Sequence, residues 1–119
     1  MNDRISLTGV STRCKVGVPA WERKKRQEIE LDVILETDLR RAGKTDALKH
    51  AVDYYGLEAS LRKRAETSTF KLIERLAEVL ARTALSYDRR IKAVTLTVKK
   101  KPAVMPKTRE VSVTISRKR

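Results

Sequence analysis

The chain has 119 residues, one Cys, one His, and 28 Lys plus Arg against 15 Asp plus Glu, a formal net charge of +13. That length predicts one domain over residues 1–119, and a lone Cys14 and a lone His50 exclude an internal disulfide framework and a His/Cys zinc cluster. The basic excess leaves two partner classes open, nucleic acid and anionic small molecules.

Residues 4–15 alternate at Ile5 and Leu7 and then meet Gly9, which predicts a strand with an irregularity. A charged loop follows, from Gly17 to Arg26. Glu28 to Asp38 is the clearest element: Ile29, Leu31, Val33 and Leu35 alternate with mostly acidic residues, the period-two pattern of a strand with one buried face. Asp38 to His50 reads as a connection broken at Gly43. A first helix is predicted over Gly56 to Glu66, from Leu57, Leu61 and Ala65. A second is predicted from Thr69 to Leu85, with Leu72, Ile73, Leu76, Ala77, Leu80, Ala81 and Ala84 on one wide arc. Two strands close the chain, carried by Val94, Leu96 and Val98 and by Val111, Val113 and Ile115, with Pro102 and Pro106 between them.

The predicted order is strand–strand–helix–helix–strand–strand. It implies an α+β fold: a four-stranded antiparallel sheet with two helices on one face, and open edges that a second copy could cover. No apolar run reaches the ~18–20 residues of a membrane span. The opening Met1-Asn2-Asp3-Arg4 has no apolar stretch of the leader type. A cytoplasmic protein without a membrane partner is therefore expected.

Four places break the local pattern. Glu74 falls inside the apolar arc of the second helix, either as a carboxylate at the core margin or as one placed in a pocket. Tyr54, in Val52-Asp53-Tyr54-Tyr55, precedes the first helix and is readable as a packing residue or a functional hydroxyl. Trp21-Glu22 puts the only Trp beside a carboxylate in a charged loop. Among Lys99, Lys100 and Lys101, alternation puts Lys100 on the face of Val94, Leu96 and Val98, while Lys99 and Lys101 are expected to crowd it with like charge.

These pieces in this order resemble the dihydroneopterin aldolase family. The likeness runs through Ile5-x-Leu7-x-Gly9, Gly17-Val18-x-x-Trp21-Glu22, Gln27, Asp38-Leu39, Thr45-Asp46, Val52-Asp53-Tyr54, Phe70 to Glu78, and a Lys-Pro pair after the third strand. The resemblance implies the tunnelling fold, with sheets joined edge to edge into an oligomeric ring, a tetramer or stacked octamer with pterin sites between subunits. It implies retro-aldol cleavage of 7,8-dihydroneopterin, with neither metal nor organic cofactor. Carried over residue by residue, Glu74 grips the aminopyrimidine edge of the pterin. The Ile73–Glu74 backbone, Val18, Val52 and Asp53 complete the substrate-binding set. Glu22 contacts the hydroxylated side chain, Tyr54 moves protons at the cleaved carbons, and a strand-ending Lys acts as general acid/base. The family pattern of Lys before Pro selects Lys101; strand register selects Lys100. Zinc-dependent relatives of the fold need several His or Cys ligands that this chain lacks. Two other readings stay open: an epimerase of the same family acting on dihydroneopterin or its triphosphate, and a nucleic-acid binder. At 4% aromatic residues the chain offers few stacking platforms for single strands.

Overall fold

The computed structural model describes residues 3–119; Met1 and Asn2, part of the opening segment considered for a leader, lie outside them. Strand β1 spans Arg4–Val16 and β2 spans Gln27–Glu36, joined by a loop that holds a short 3-10 turn at Ala20–Lys24. Helix α1 covers Arg40–Thr45, α2 covers Tyr54–Glu66, the two-residue β3 is Thr69–Phe70, and α3 covers Ile73–Tyr87. Strands β4, Ala93–Lys100, and β5, Val111–Lys118, end the chain.

The sheet order is β3-β1-β2-β4-β5. All neighbours are antiparallel except β3, which runs parallel to the Lys15–Val16 end of β1. The mixed α+β architecture expected from the sequence is present, with a fifth strand and a third helix added. The expected second helix does not begin at Thr69. Thr69 and Phe70 pair with β1, and the helix starts at Ile73. The expected connection around Gly43 holds α1, a short helix with no buried residue and so no apolar face to announce it.

Alternation builds the core. Ile29, Leu31, Val33 and Leu35 of β2 and Val94, Leu96 and Val98 of β4 face the helices and are buried. They pack with Leu57 and Leu61 of α2 and Leu76 and Leu80 of α3, all fully buried, each such Leu contributing about 1.5–3 kcal/mol. The opposite face is polar: Thr95–Ser116 and Thr97–Thr114 hydroxyl pairs sit at 2.9 and 2.8 Å, and Lys99 binds Asp32 at 2.8 Å and Glu30 at 3.2 Å. The irregularity expected at Gly9 is a register shift between Leu7 and Val10. Gly9 adopts φ +71°, which a residue with a Cβ tolerates poorly, and its N–H donates to Asp32 Oδ1 at 2.9 Å.

Both sheet edges are open along most of their length. Among the described residues, the outer edge of β5 carries no partner strand, and β3 covers β1 only at Lys15 and Val16. Among the described residues, no helix is long and apolar enough to cross a membrane.

Candidate active site

At its last residue, β4 delivers an ammonium group into the protein. Lys100 occupies the helix-side register of the strand, is 8% exposed, and donates from Nζ to Glu22 Oε2 at 3.1 Å and to the Val16 carbonyl at 3.2 Å. Glu22 is 5% exposed and is the only buried residue of the Ala20–Lys24 turn. A buried ion pair of this kind has to recover a large desolvation penalty through close, hydrogen-bonded geometry. Lys101 is exposed beyond the strand end.

The loop that presents Glu22 is held from several sides. Gly17 abuts it so closely that a Cβ there would lie 2.4 Å from Glu22 Cβ and 2.6 Å from Oε1. Arg23 Nη1 donates to the Gly17 and Val18 carbonyls, both at 2.7 Å. Gln27 Nε2 donates to the Val16 carbonyl at 2.6 Å and the Glu22 carbonyl at 3.0 Å. Val18 and Trp21 stand exposed on the same loop.

Like charge does not crowd Lys100 as the sequence suggested. Lys99 points to the opposite face, where bonds to Asp32 and Glu30 hold its ammonium well above the ordinary lysine range. In return, Lys99 and the Gly9 N–H hold Asp32 below the usual carboxylate range. The charge nearest Lys100 is the Glu22 carboxylate.

Glu74 differs from expectation in its burial. It sits in the first turn of α3 and is exposed, whereas Ile73 beside it is buried. The helix expected from Thr69 counted Phe70 as helical one turn before Glu74, but Phe70 belongs to β3. A carboxylate in a first helical turn is favoured by the helix dipole. Gly17 N–H donates to the Phe70 carbonyl at 3.1 Å, so the start of α3 lies at the same end of the sheet as Lys100 and Glu22.

Val52, Asp53 and Tyr54 form a separate cluster. Asp53 caps α2, accepting from the Gly56 N–H at 3.1 Å, and its other oxygen accepts the Tyr87 hydroxyl at 3.4 Å. Val52 is buried, whereas Tyr54 is 55% exposed beside a cleft of about 470 Å³ that also includes Ala47, Leu48 and Ala51. This cluster lies against Arg90, three residues before β4 begins. Lys100 ends β4, and a strand of that length spans about 23 Å. Within the chain, Tyr54 and the Lys100–Glu22 pair therefore occupy opposite ends of the sheet.

Sequence reasoning missed the Val16 carbonyl, the Arg23 clamp and the close approach at Gly17. Only the Gly before Glu22 left a trace in the sequence. Cys14 is fully buried, and burial pushes its thiol up to about 11. His50 Nδ1 shares a hydrogen bond with Thr45 Oγ1 at 2.7 Å. Among the described residues, no cluster of three or more His, Cys, Asp or Glu side chains is placed to hold a metal ion.

The family model for dihydroneopterin aldolase matches residues 5–116. A Bacillus subtilis dihydroneopterin aldolase is 30% identical over 118 residues, covering 98% of each chain. The structure of Escherichia coli dihydroneopterin aldolase in complex with neopterin superposes with a TM-score of 0.89 at 26% identity, covering 97% of this chain and 98% of that one. A uricase from Bacillus fastidious shares the fold alone, with a TM-score of 0.66 at 10% identity over 86% of this chain and 36% of that one.

Proposed function

The chain belongs to the dihydroneopterin aldolase family, and from that premise we infer that it cleaves the side chain of 7,8-dihydroneopterin, releasing glycolaldehyde and 6-hydroxymethyl-7,8-dihydropterin, a lyase step of folate biosynthesis. The observation that carries the reading is the buried Lys100–Glu22 pair at 3.1 Å, beside the start of the helix that bears Glu74.

The pterin binds with its aminopyrimidine edge on Glu74, whose two oxygens accept ring N–H donors, and with backbone contacts from Ile73 and Val18. Its hydroxylated side chain reaches the Lys100–Glu22 pair. Two of the three Lys100 N–H groups are directed at Glu22 and the Val16 carbonyl, which leaves one for a substrate oxygen or a water. Glu22 accepts from a side-chain hydroxyl. Proton removal from that hydroxyl breaks the adjacent C–C bond, glycolaldehyde leaves, and the electron pair passes into the pterin ring. Reprotonation of the cleaved carbon completes the product. Lys100 acts as the general acid/base, directly or through water, and Tyr54 moves protons at the cleaved carbons. Because the ring accepts the electrons, the scheme uses neither a Schiff base nor a cofactor. Register favours Lys100 over Lys101 for this role, since only Lys100 points inward.

Tyr54, Val52 and Asp53 enter the same site from a second copy. Within a single copy they lie at the opposite end of β4 from Lys100, a strand about 23 Å long, and the open β1 and β5 edges are suited to strand pairing between copies. Repeated edge pairing closes a ring, a tetramer or a stacked octamer, with one site at each junction. The same acid–base groups could invert a side-chain carbon, but the curated relatives are named for the aldolase, which favours cleavage. A small-molecule site in a cytoplasmic enzyme is the setting that fits a buried, unreactive thiol at Cys14.

The test is an anaerobic incubation with 7,8-dihydroneopterin, followed by chromatography. The hydroxymethyl product is expected from the wild type and is expected to be lost in Glu74→Ala. Formation of the epimer alone would refute the aldolase reading.

A further inference from the structure

In the loop that leads into Val52-Asp53-Tyr54, none of the residues from Asp46 to Ala51 is buried. The segment from Asp46 to Ala51 contains a left-handed residue, Asp46 at φ 55°, and one 3-10 turn at Leu48–His50, and Leu48 is largely exposed. Its backbone is tied down by one side chain from a distant part of the sequence. Arg90 donates from Nη1 to the Lys49 carbonyl and from Nη2 to the Ala51 carbonyl, both at 2.9 Å.

Arg90 is itself oriented. Asp88 receives its guanidinium in a two-point fork, Nη2 to Oδ2 at 2.7 Å and Nε to Oδ1 at 3.1 Å, and accepts the Arg90 backbone N–H at 2.9 Å. The fork holds the Asp88 carboxyl below the usual range and keeps it ionised near neutrality. The Arg90 carbonyl in turn accepts the Thr37 hydroxyl at 2.9 Å, which fixes this turn to the end of β2. Four of the five guanidinium N–H groups are thus spent on one carboxylate and two carbonyls, a geometry that a lysine cannot reproduce.

We propose that Arg90, locked by Asp88, is a positioning residue for the Val52–Asp53–Tyr54 edge of the active site: it sets the backbone height at Ala51 and so where the Tyr54 hydroxyl meets substrate in the adjoining copy. The proposal rests on the two-copy site described above. Arg90 touches no reacting atom. Its action is through the two carbonyls it holds, one of which immediately precedes Val52. Arg89, next in sequence and exposed, makes none of these bonds and serves as the matched control.

The experiment compares Arg90→Ala, Arg90→Lys, Arg89→Ala and Tyr54→Phe in steady-state aldolase assays on the assembled protein, with melting curves for each. A misplacement of about 1 Å can cost on the order of 100-fold. Arg90→Ala is expected to lose at least about tenfold in kcat/KM, chiefly through kcat because it displaces a proton-moving hydroxyl, with recovery on adding millimolar guanidinium. Arg90→Lys is expected to fall between Arg90→Ala and wild type, and Arg89→Ala to match wild type. An Arg90→Ala enzyme that melts lower but keeps wild-type kcat and KM would overturn the proposal, as would an equal loss in Arg89→Ala. If Tyr54→Phe loses activity while Arg90→Ala does not, only the role of Arg90 fails. If Tyr54→Phe keeps full activity, the placement of this edge in the site fails with it.

Discussion

Gly17→Ala tests how tightly the fold specifies the position of Glu22. A methyl group on Gly17 would sit 2.4 Å from Glu22 Cβ and 2.6 Å from Oε1, whereas nonbonded carbons rest about 3.5–4.0 Å apart. Relief requires the turn to retreat by about 1 Å. The Arg23 and Gln27 bonds to neighbouring carbonyls resist that retreat. The Gly17 backbone is not in the positive-φ region, so the cost is steric and falls on Glu22 rather than on the glycine. Overpacking of this kind costs about 1–3 kcal/mol, read as a Tm lowered by several degrees. The movement is enough to break the 3.1 Å contact with Lys100. The expected loss in kcat/KM is on the order of 100-fold. Differential scanning calorimetry and steady-state product formation measure the two effects. A Gly17→Ala protein with unchanged Tm and unchanged kcat/KM would refute the reasoning, because Glu22 would then be free to relocate without consequence.

Three further outcomes follow from the same geometry. Lys100→Ala should abolish product formation and Lys101→Ala should leave most of it, as single-turnover assays of the two variants would show. Glu22→Ala should destabilise the protein by about 3–5 kcal/mol by leaving the Lys100 ammonium buried without its carboxylate, while Glu22→Ala with Lys100→Met should recover much of that loss; denaturant titration of the set measures both. Asp32, Asp38, Glu78 and Asp88 are all held below their ordinary range by Lys or Arg partners, Asp38 at about 2. A depressed carboxylate contributes stability above its unfolded pKa and loses it as pH falls through the folded one. The Tm should therefore hold down to about pH 4 and decline toward pH 2, and Asp32→Asn should flatten that decline.

The parts of the fold that repeat were legible in the sequence. Alternation over Ile29 to Leu35 and Val94 to Val98 identified the two central strands and their buried faces, and the same alternation turned Lys100 inward. The short or non-periodic parts were hidden. Two residues of β3 are too few for a period, and Phe70 happens to fall where a helical wheel would want it. Glu74 consequently read as half-enclosed rather than as an exposed first-turn carboxylate. Pairings across long sequence separations left no local trace. Glu22 is 78 residues from Lys100, and Arg90 is 39 from Ala51. Lys99 looked like a neighbour in charge to Lys100, although the alternation that separates them also aims it at the acidic face of β2.

A site shared between copies is tested most directly by mixing two inactive chains. Tyr54→Phe and Lys100→Ala, unfolded together and refolded as one pool, form hybrid rings in which some junctions join an intact Tyr54 to an intact Lys100. Release of 6-hydroxymethyl-7,8-dihydropterin should reappear, at roughly a quarter of the wild-type rate for an equal mixture with random assembly. A pool as inactive as either parent, from chains that assemble normally, would contradict the two-copy site.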